Sequence, residues 1–226
     1  MNYKKLFDVT NKSIIILGGA GLLGREIVKS LASLGANITI LDYKRINKKT
    51  FQFKNKINFE YFDIKDESYL KIKFKKIIKK IRKIDVFINA SYPHTEDWSK
   101  NTFKEATYEN IKLNTEYQLV TTAWFSKCIA NQMIKNKTVG SIINLGSIYG
   151  VVGQNLNNYK KTKMNESITY SMAKGGIINL TKQMASYYGK YNIRVNCISP
   201  GGVKGPVIGL SKKQDKNFIE QYSKNV

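Results

Sequence analysis

Short apolar runs alternate along the chain with longer stretches of helical periodicity. Ser13–Leu17 reads Ser-Ile-Ile-Ile-Leu, and comparable runs fall at Asn37–Asp42, Ile57–Phe62, Ile84–Ala90, Gly140–Gly146 and Ile193–Ser199. Each has strand length and is rich in β-branched residues, which predicts six strands. Between them, apolar positions recur at helical intervals over Leu22–Leu34, Glu67–Lys83, Tyr108–Lys135 and Thr169–Tyr191, each long enough to serve as a crossover. This alternation predicts an α/β fold, a doubly wound parallel sheet of Rossmann type in one domain. Two stretches are irregular: Asn155–Glu166, polar with Lys160, Lys161 and Lys163, and the glycine-rich Gly201–Gly209. Both follow predicted strands, where a doubly wound sheet binds its ligands.

The first strand runs into Gly18-Gly19-Ala20-Gly21-Leu22-Leu23-Gly24 and then an amphipathic helix. In that context Gly18 permits a tight turn, Gly21 lets the backbone approach a pyrophosphate, and Gly24 allows close helix packing. The pattern alone also fits an ordinary turn. Asp42 ends the second strand, where a carboxylate accepts hydrogen bonds from an adenosine ribose and repels a 2′-phosphate, placing NAD ahead of NADP. Lys44 and Arg45 follow at once and argue the other way.

Tyr170 and Lys174 lie four apart on one helix, so their side chains share a face. Ser147 follows the fifth strand and therefore lies at the carboxyl edge of the sheet. A free tyrosine has a pKa of about 10, so exchange of its proton near neutrality requires a neighbouring positive charge, which Lys174 and an oxidised nicotinamide would supply. Tyr170 is the candidate acid/base, Ser147 the candidate holder of the substrate oxygen, and Lys174 a further candidate to fix the nicotinamide ribose. The alternative for Ser147 is a strand-end turn serine.

With these motifs in this order, the chain resembles the short-chain dehydrogenase/reductase family, in its single-domain subtype, from Ser13 to Val203. The resemblance implies a catalytic set of Asn114, Ser147, Tyr170 and Lys174, with Asn114 bending its helix and holding a water that links the lysine to solvent. It implies a cofactor-binding set of Gly18, Gly21, Leu23, Gly24, Asp42, Asp63, Ile64, Asn89, Ala90, Ser91, Tyr170, Lys174, Pro200, Gly201 and Val203. Asp63 would stand near the adenine, and Pro200, Gly201 and Val203 beside the nicotinamide. The segments Ser91–Trp98 and Tyr188–Gly202 resemble a bacterial branch tied to flagellin modification and surface-sugar synthesis.

Several positions depart from the family pattern. Leu17 stands where a threonine usually supports the turn after strand four, and Ser91 replaces a usual glycine. Ser147 and Tyr170 are farther apart than usual, which implies an extra Asn- and Lys-rich loop beside the site. The chain ends at Val226, before the further helix and strand that normally close the sheet. The expectation is therefore an incomplete C-terminus, a bare apolar edge at Ile193, Val195, Cys197 and Ile198, and a loose substrate-covering segment over Ser211–Val226. His94, the single histidine, is expected in solvent.

Composition alters this picture little. The 226 residues include 42% hydrophobic ones, enough for one sizeable core, and the net charge is +22. Apart from Arg25, Arg45, Arg82 and Arg194 the basic residues are lysines, scattered rather than patched, so charge alone makes a poor case for specific nucleic-acid binding. The dense segment Lys71–Lys83 carries Ile72, Phe74, Ile77, Ile78 and Ile81 at helical intervals and reads as a helix with a lysine face in water. Cys128 and Cys197 lack metal-ligand spacing and sit in apolar segments, so they read as reduced. No metal site, signal peptide or membrane span is expected, and the cytoplasm is the expected location. The expected partners are NAD, a small sugar-derived substrate and, in a complete form, further copies of the chain. The expected activity is interconversion of a secondary hydroxyl and a carbonyl; the alternatives are a non-catalytic nucleotide-binding regulator, an inactive truncated homologue and a nucleic-acid-binding module.

Overall fold

The computed structural model describes residues 7–45, 57–162, 164–205 and 214–225. Six parallel strands form one sheet: β1 (Ser13–Leu17), β2 (Asn37–Asp42), β3 (Ile57–Tyr61), β4 (Val86–Asn89), β5 (Gly140–Leu145) and β6 (Ile193–Ile198). Their order across the sheet is β3-β2-β1-β4-β5-β6, so the chain reverses direction across the sheet at β1, between β2 and β4. A crevice opens at such a reversal, beyond the carboxyl ends of the strands.

Helices cover both faces, and the unbroken apolar run of β1 follows from that burial. Ile14 and Ile16 pack with Ile38 and Ile40 against Val28 and Ala32 of α1 (Leu22–Ser33). Ile15 and Leu17 point the other way, into the core beneath α2 (Glu67–Lys80), α4 (Thr121–Lys135) and α5 (Ile168–Tyr188). Phe74 of α2 is fully buried there, in ring contact with Phe62, Phe87, Trp124 and Phe125. The lysine face of α2 is in solvent as its periodicity predicts, although Ile72 joins it and is exposed.

The long helix expected over Tyr108–Lys135 is interrupted. It runs as α3 (Tyr108–Thr115), a π-helical turn over Glu116–Val120, then α4. Threonine hydroxyls here donate back to carbonyls four residues earlier: Thr115 to Ile111 at 2.6 Å, Thr122 to Gln118 at 2.5 Å, and Thr121 to Tyr117. Such bonds compete with the regular ladder and bend helices.

At the sheet edge among the described residues, β6 alternates: Ile193 and Val195 are buried inward, while Arg194 and Asn196 face out. The edge thus carries a cation and an amide, not the apolar stripe expected, with Ile198 its exposed apolar residue. Of the segment expected to be loose, residues 211–213 and Val226 lie outside the described residues. The remainder forms α6 (Lys216–Lys224), capped by Asp215 through the backbone N–H groups of Asn217 and Phe218. It is docked rather than loose: Asn225 donates to the Asn158 side chain at 2.9 Å, Asn217 donates to the Lys161 carbonyl at 3.0 Å, and Phe218 packs on Tyr159.

Because Phe74 joins four other rings, Phe74→Ala should leave a cavity that its neighbours cannot refill. Urea unfolding should show a loss of about 3–5 kcal/mol.

Candidate active site

The carboxyl ends of β1, β2, β4 and β5 open into a cleft of about 880 Å³. One end is built on the turn after β1. Gly18 has φ +79°, and a Cβ there would lie 2.6 Å from the Ser91 Cα, so only glycine lets the turns after β1 and β4 touch. At Gly24 a Cβ would lie 2.0 Å from the Gly18 carbonyl oxygen, which fixes how closely α1 approaches the turn. No side chain caps the N-terminus of α1, and Gly21, Leu22 and Leu23 border the cleft there. A backbone cradle that no side chain can fill, opening at a helix N-terminus, fits the diphosphate of a dinucleotide.

Asp42 is buried at the end of β2. Its carboxylate accepts from the Ala20 N–H at 2.8 Å and the Lys44 N–H at 2.9 Å, so it braces the glycine turn as well as lining the cleft. Burial pushes its pKa up, against the pull of those two N–H groups. Asp63 and Ile64 line the same end, and Ala90, Ser91, Pro200, Gly201 and Val203 line the middle.

The two departures around the turn have direct structural answers. The Leu17 carbonyl accepts the Ala90 N–H at 2.8 Å, so main chain ties β1 to the turn after β4 without a threonine hydroxyl. Ser91 has no positive φ, and its N–H and hydroxyl both donate to the Asn89 side chain, at 3.2 and 2.6 Å. Asn89 in turn donates to Thr122 at 3.0 Å, and like Gly24 it lies behind the cleft wall rather than in it.

Ser147, Tyr170 and Lys174 come together beyond β5. Ser147 is buried and accepts from the Tyr149 N–H at 3.2 Å. Ser167 caps α5 by accepting from the Tyr170 N–H, which sets Tyr170 in the first turn and Lys174 one turn later. The Lys174 ammonium donates to the Leu145 carbonyl at 2.9 Å and lies 5.7 Å from the ring centres of both Tyr92 and Tyr170. Burial pulls Lys174 down to a pKa of about 8. Burial also pushes Tyr170 above the ordinary tyrosine value, with the Ser147 hydroxyl beside it pulling the other way. With Lys174 alone beside it Tyr170 thus stays above its ordinary value, and the sequence reading pairs the lysine with the charge of an oxidised nicotinamide.

Asn114 is fully buried but does not line the cleft. Its amide donates to the Thr95 hydroxyl and the Asn110 carbonyl, both at 2.9 Å, and its oxygen accepts the Thr95 N–H at 3.1 Å. Its side chain is spent tying the loop after β4 to α3, just before the π-helical turn. His94 corrects the expectation of a solvent position: it lines the cleft, half-buried against Tyr92 and Trp98. Tyr92, Trp98, Tyr149, Tyr159 and Tyr222 also line this end and were missed as site residues. Tyr92 and Trp98 lay in a stretch already singled out, whereas nothing local marks Tyr222.

Among the described residues no His, Cys, Asp and Glu cluster could hold a metal, and no helix is long and apolar enough to cross a membrane. Cys128 and Cys197 are free thiols.

The fold is of Rossmann type, and its cleft lies where such sheets bind dinucleotides. The family model described as short chain dehydrogenase matches residues 12–216, and the chain belongs to that family. Post-translational flagellin modification protein A of Campylobacter coli is 32% identical over 224 residues, covering 95% of this chain and 83% of that protein. A 2,5-dichloro-2,5-cyclohexadiene-1,4-diol dehydrogenase of Sphingobium indicum is 28% identical, covering 97% and 83%. A crystal structure of a short chain dehydrogenase from Leptospira borgpetersenii with bound NAD+ matches at a TM-score of 0.79 and 28% identity, covering 98% of this chain and 80% of that one.

The buried ammonium carries a stability cost whose pH dependence has a definite sign. Between a folded pKa of about 8 and the ordinary 10.5, the unfolded chain binds the extra proton. The cost is therefore full below pH 8 and fades as the pH rises toward 10.5. Lys174→Met should stabilise the protein at pH 7 by as much as about 3 kcal/mol. Urea unfolding across this range should show the difference shrinking above pH 8.

Proposed function

We propose that this protein is an NAD-dependent oxidoreductase that interconverts a secondary hydroxyl and a carbonyl, with Tyr170 as acid/base. The observation that carries this reading is the meeting of Ser147, Tyr170 and Lys174 in the cleft that also holds the glycine turn and Asp42. Ser147 orients the substrate oxygen by a hydrogen bond, and Tyr170 gives a proton to that oxygen or takes one from it. Lys174 presents its charge beside the tyrosine and holds the nicotinamide ribose. Asn114 acts as a positioning residue, through Thr95 and the loop that carries Tyr92 and Trp98. When bound, the nicotinamide supplies the hydride acceptor or donor and, when oxidised, a positive charge.

The cofactor-binding set is Gly18, Gly21 and Leu23 toward the diphosphate, with Gly24 behind them letting α1 approach the turn, Asp42 toward the adenosine ribose, and Asp63 and Ile64 toward the adenine. Ala90, Ser91, Pro200, Gly201 and Val203 flank the nicotinamide half, with Asn89 supporting Ser91. NAD is favoured over NADP because a 2′-phosphate would meet the Asp42 carboxylate. Similarity to a flagellin modification protein supports a sugar-derived substrate and a role in bacterial surface-glycan or flagellin-glycan synthesis. The cytoplasm is the compartment consistent with this role.

Tyr170→Phe should lower kcat by about 10²- to 10⁴-fold with NAD affinity nearly intact, because it removes a proton and almost no volume. Calorimetry and steady-state rates on one preparation test this, and retained activity would move the acid/base role elsewhere. In the same calorimeter the wild type should bind NAD more tightly than NADP, and Asp42→Ser should narrow that gap. Tighter NADP binding by the wild type would reverse the cofactor assignment.

A further inference from the structure

His94 is the one histidine of the chain, and it lines the cleft half-buried on the loop after β4. Its Nδ1 lies 2.9 Å from the Thr95 carbonyl oxygen, which can only accept, so Nδ1 carries the proton and donates it. In the neutral imidazole that bond fixes the tautomer and leaves Nε2 with a bare lone pair. Nε2 meets no donor among the described residues, and they do not enclose it either, so it is an open acceptor on the cleft.

The imidazole is held in place. Tyr92 and Trp98 pack on it with ring centres at 5.9 and 5.8 Å. Asn114 fixes the loop through the N–H and hydroxyl of Thr95, the residue whose carbonyl His94 engages. The same two rings pack on Tyr170, at 5.6 and 6.5 Å. His94 and Tyr170 therefore border one wall, with Tyr92 and Trp98 linking them. A single sugar-sized ring reaches both, but the oxygen it offers His94 stands across the ring from the one it offers Tyr170. A neutral imidazole acceptor is also selective. It takes a hydroxyl proton and gains nothing from a carboxylate or an ether oxygen, which have none to give.

We propose that His94 is a specificity-determining residue whose Nε2 accepts a hydrogen bond from a substrate hydroxyl remote from the reacting oxygen. The substrate is accordingly a hydroxylated ring, or the matching hydroxy ketone, whose far hydroxyl is free rather than etherified or glycosylated. This rests on the reading that Ser147 and Tyr170 hold the reacting oxygen.

The test uses the cis and trans isomers of 1,4-cyclohexanediol and their monomethyl ethers, which keep one hydroxyl and lose the second proton. Affinities are measured by saturation-transfer NMR on the NADH-saturated protein, which cannot oxidise them, at a pH above the range in which imidazoles titrate. At least one diol should bind about tenfold more tightly than its ether, the worth of one hydrogen bond. His94→Asn, whose short amide can keep the Thr95 bond but lacks the far acceptor, should lose that preference. His94→Gln, which puts an acceptor back at the far position, should regain most of it. A residue that merely braces the loop would give the reverse order. Because the chain has one histidine, its 15N signals in the wild type are unambiguous, and the Nε2 signal should shift when the diol binds, however the variants fold. Equal affinities for diol and ether in both isomers, no binding of any probe, or an Nε2 signal that the diol leaves unmoved would overturn the inference. Turnover with NAD+ is measured separately. A diol preference without turnover would count against the acid/base role of Tyr170 and leave the inference standing, and turnover without a preference would do the reverse.

Discussion

The Lys174 ammonium sits at the end of β5, under a wall of aromatic rings, and burying a charge there is costly unless it is met by polar partners. One partner is the Leu145 carbonyl at 2.9 Å, which joins α5 to the last residue of β5. The faces of Tyr92 and Tyr170 add cation–π attraction on two sides. Because Tyr170 lies one turn earlier on the same helix, anchoring the lysine also sets the phenol over the cleft. The rest of the active centre is arranged around this one joint: Ser167 caps the helix that carries both residues, and Gly150 lies against the Lys174 backbone, where a Cβ would meet the carbonyl carbon at 2.6 Å.

The loop after β4 is held to the same standard of fit by a different device. Gly18 packs on Ser91, Leu17 pairs with Ala90, and Asn114 grips Thr95. These contacts aim Tyr92, His94 and Trp98 at the cleft, giving the lysine its aromatic walls. The π-helical turn after Asn114 belongs to this arrangement, since an extra residue in the helix shifts α4 relative to α3 while the asparagine stays buried.

Much of this was legible in the chain. The strands of β1, β2 and β5 begin where their apolar runs begin, because a sheet covered on both faces demands continuous hydrophobic residues. The glycine turn, Asp42, Ser147, Tyr170 and Lys174 were legible because each follows a strand end or a helical spacing that local rules fix. His94 was misread because its position depends on Tyr92 and Trp98 folding back as a cluster, a tertiary event with no local signature. Tyr222 and the docking of α6 were invisible for the same reason: both depend on Asn158, Tyr159 and Lys161, more than 50 positions earlier in the chain. Spacing shows that a lysine is near Tyr170 but not how much water is excluded from both groups.

In the free protein burial holds the Tyr170 phenol above its ordinary pKa, although a lysine lies one turn away. The account therefore requires that the positive charge of an oxidised nicotinamide completes what Lys174 begins. The direct measurement is an NMR titration of Tyr170 labelled with 13C at Cζ, in the free protein, with NAD+ and with NADH. A resonance that titrates above the ordinary tyrosine range in the free protein and with NADH, and clearly lower with NAD+, is the predicted result. A Tyr170 that titrates identically in all three states would contradict the account.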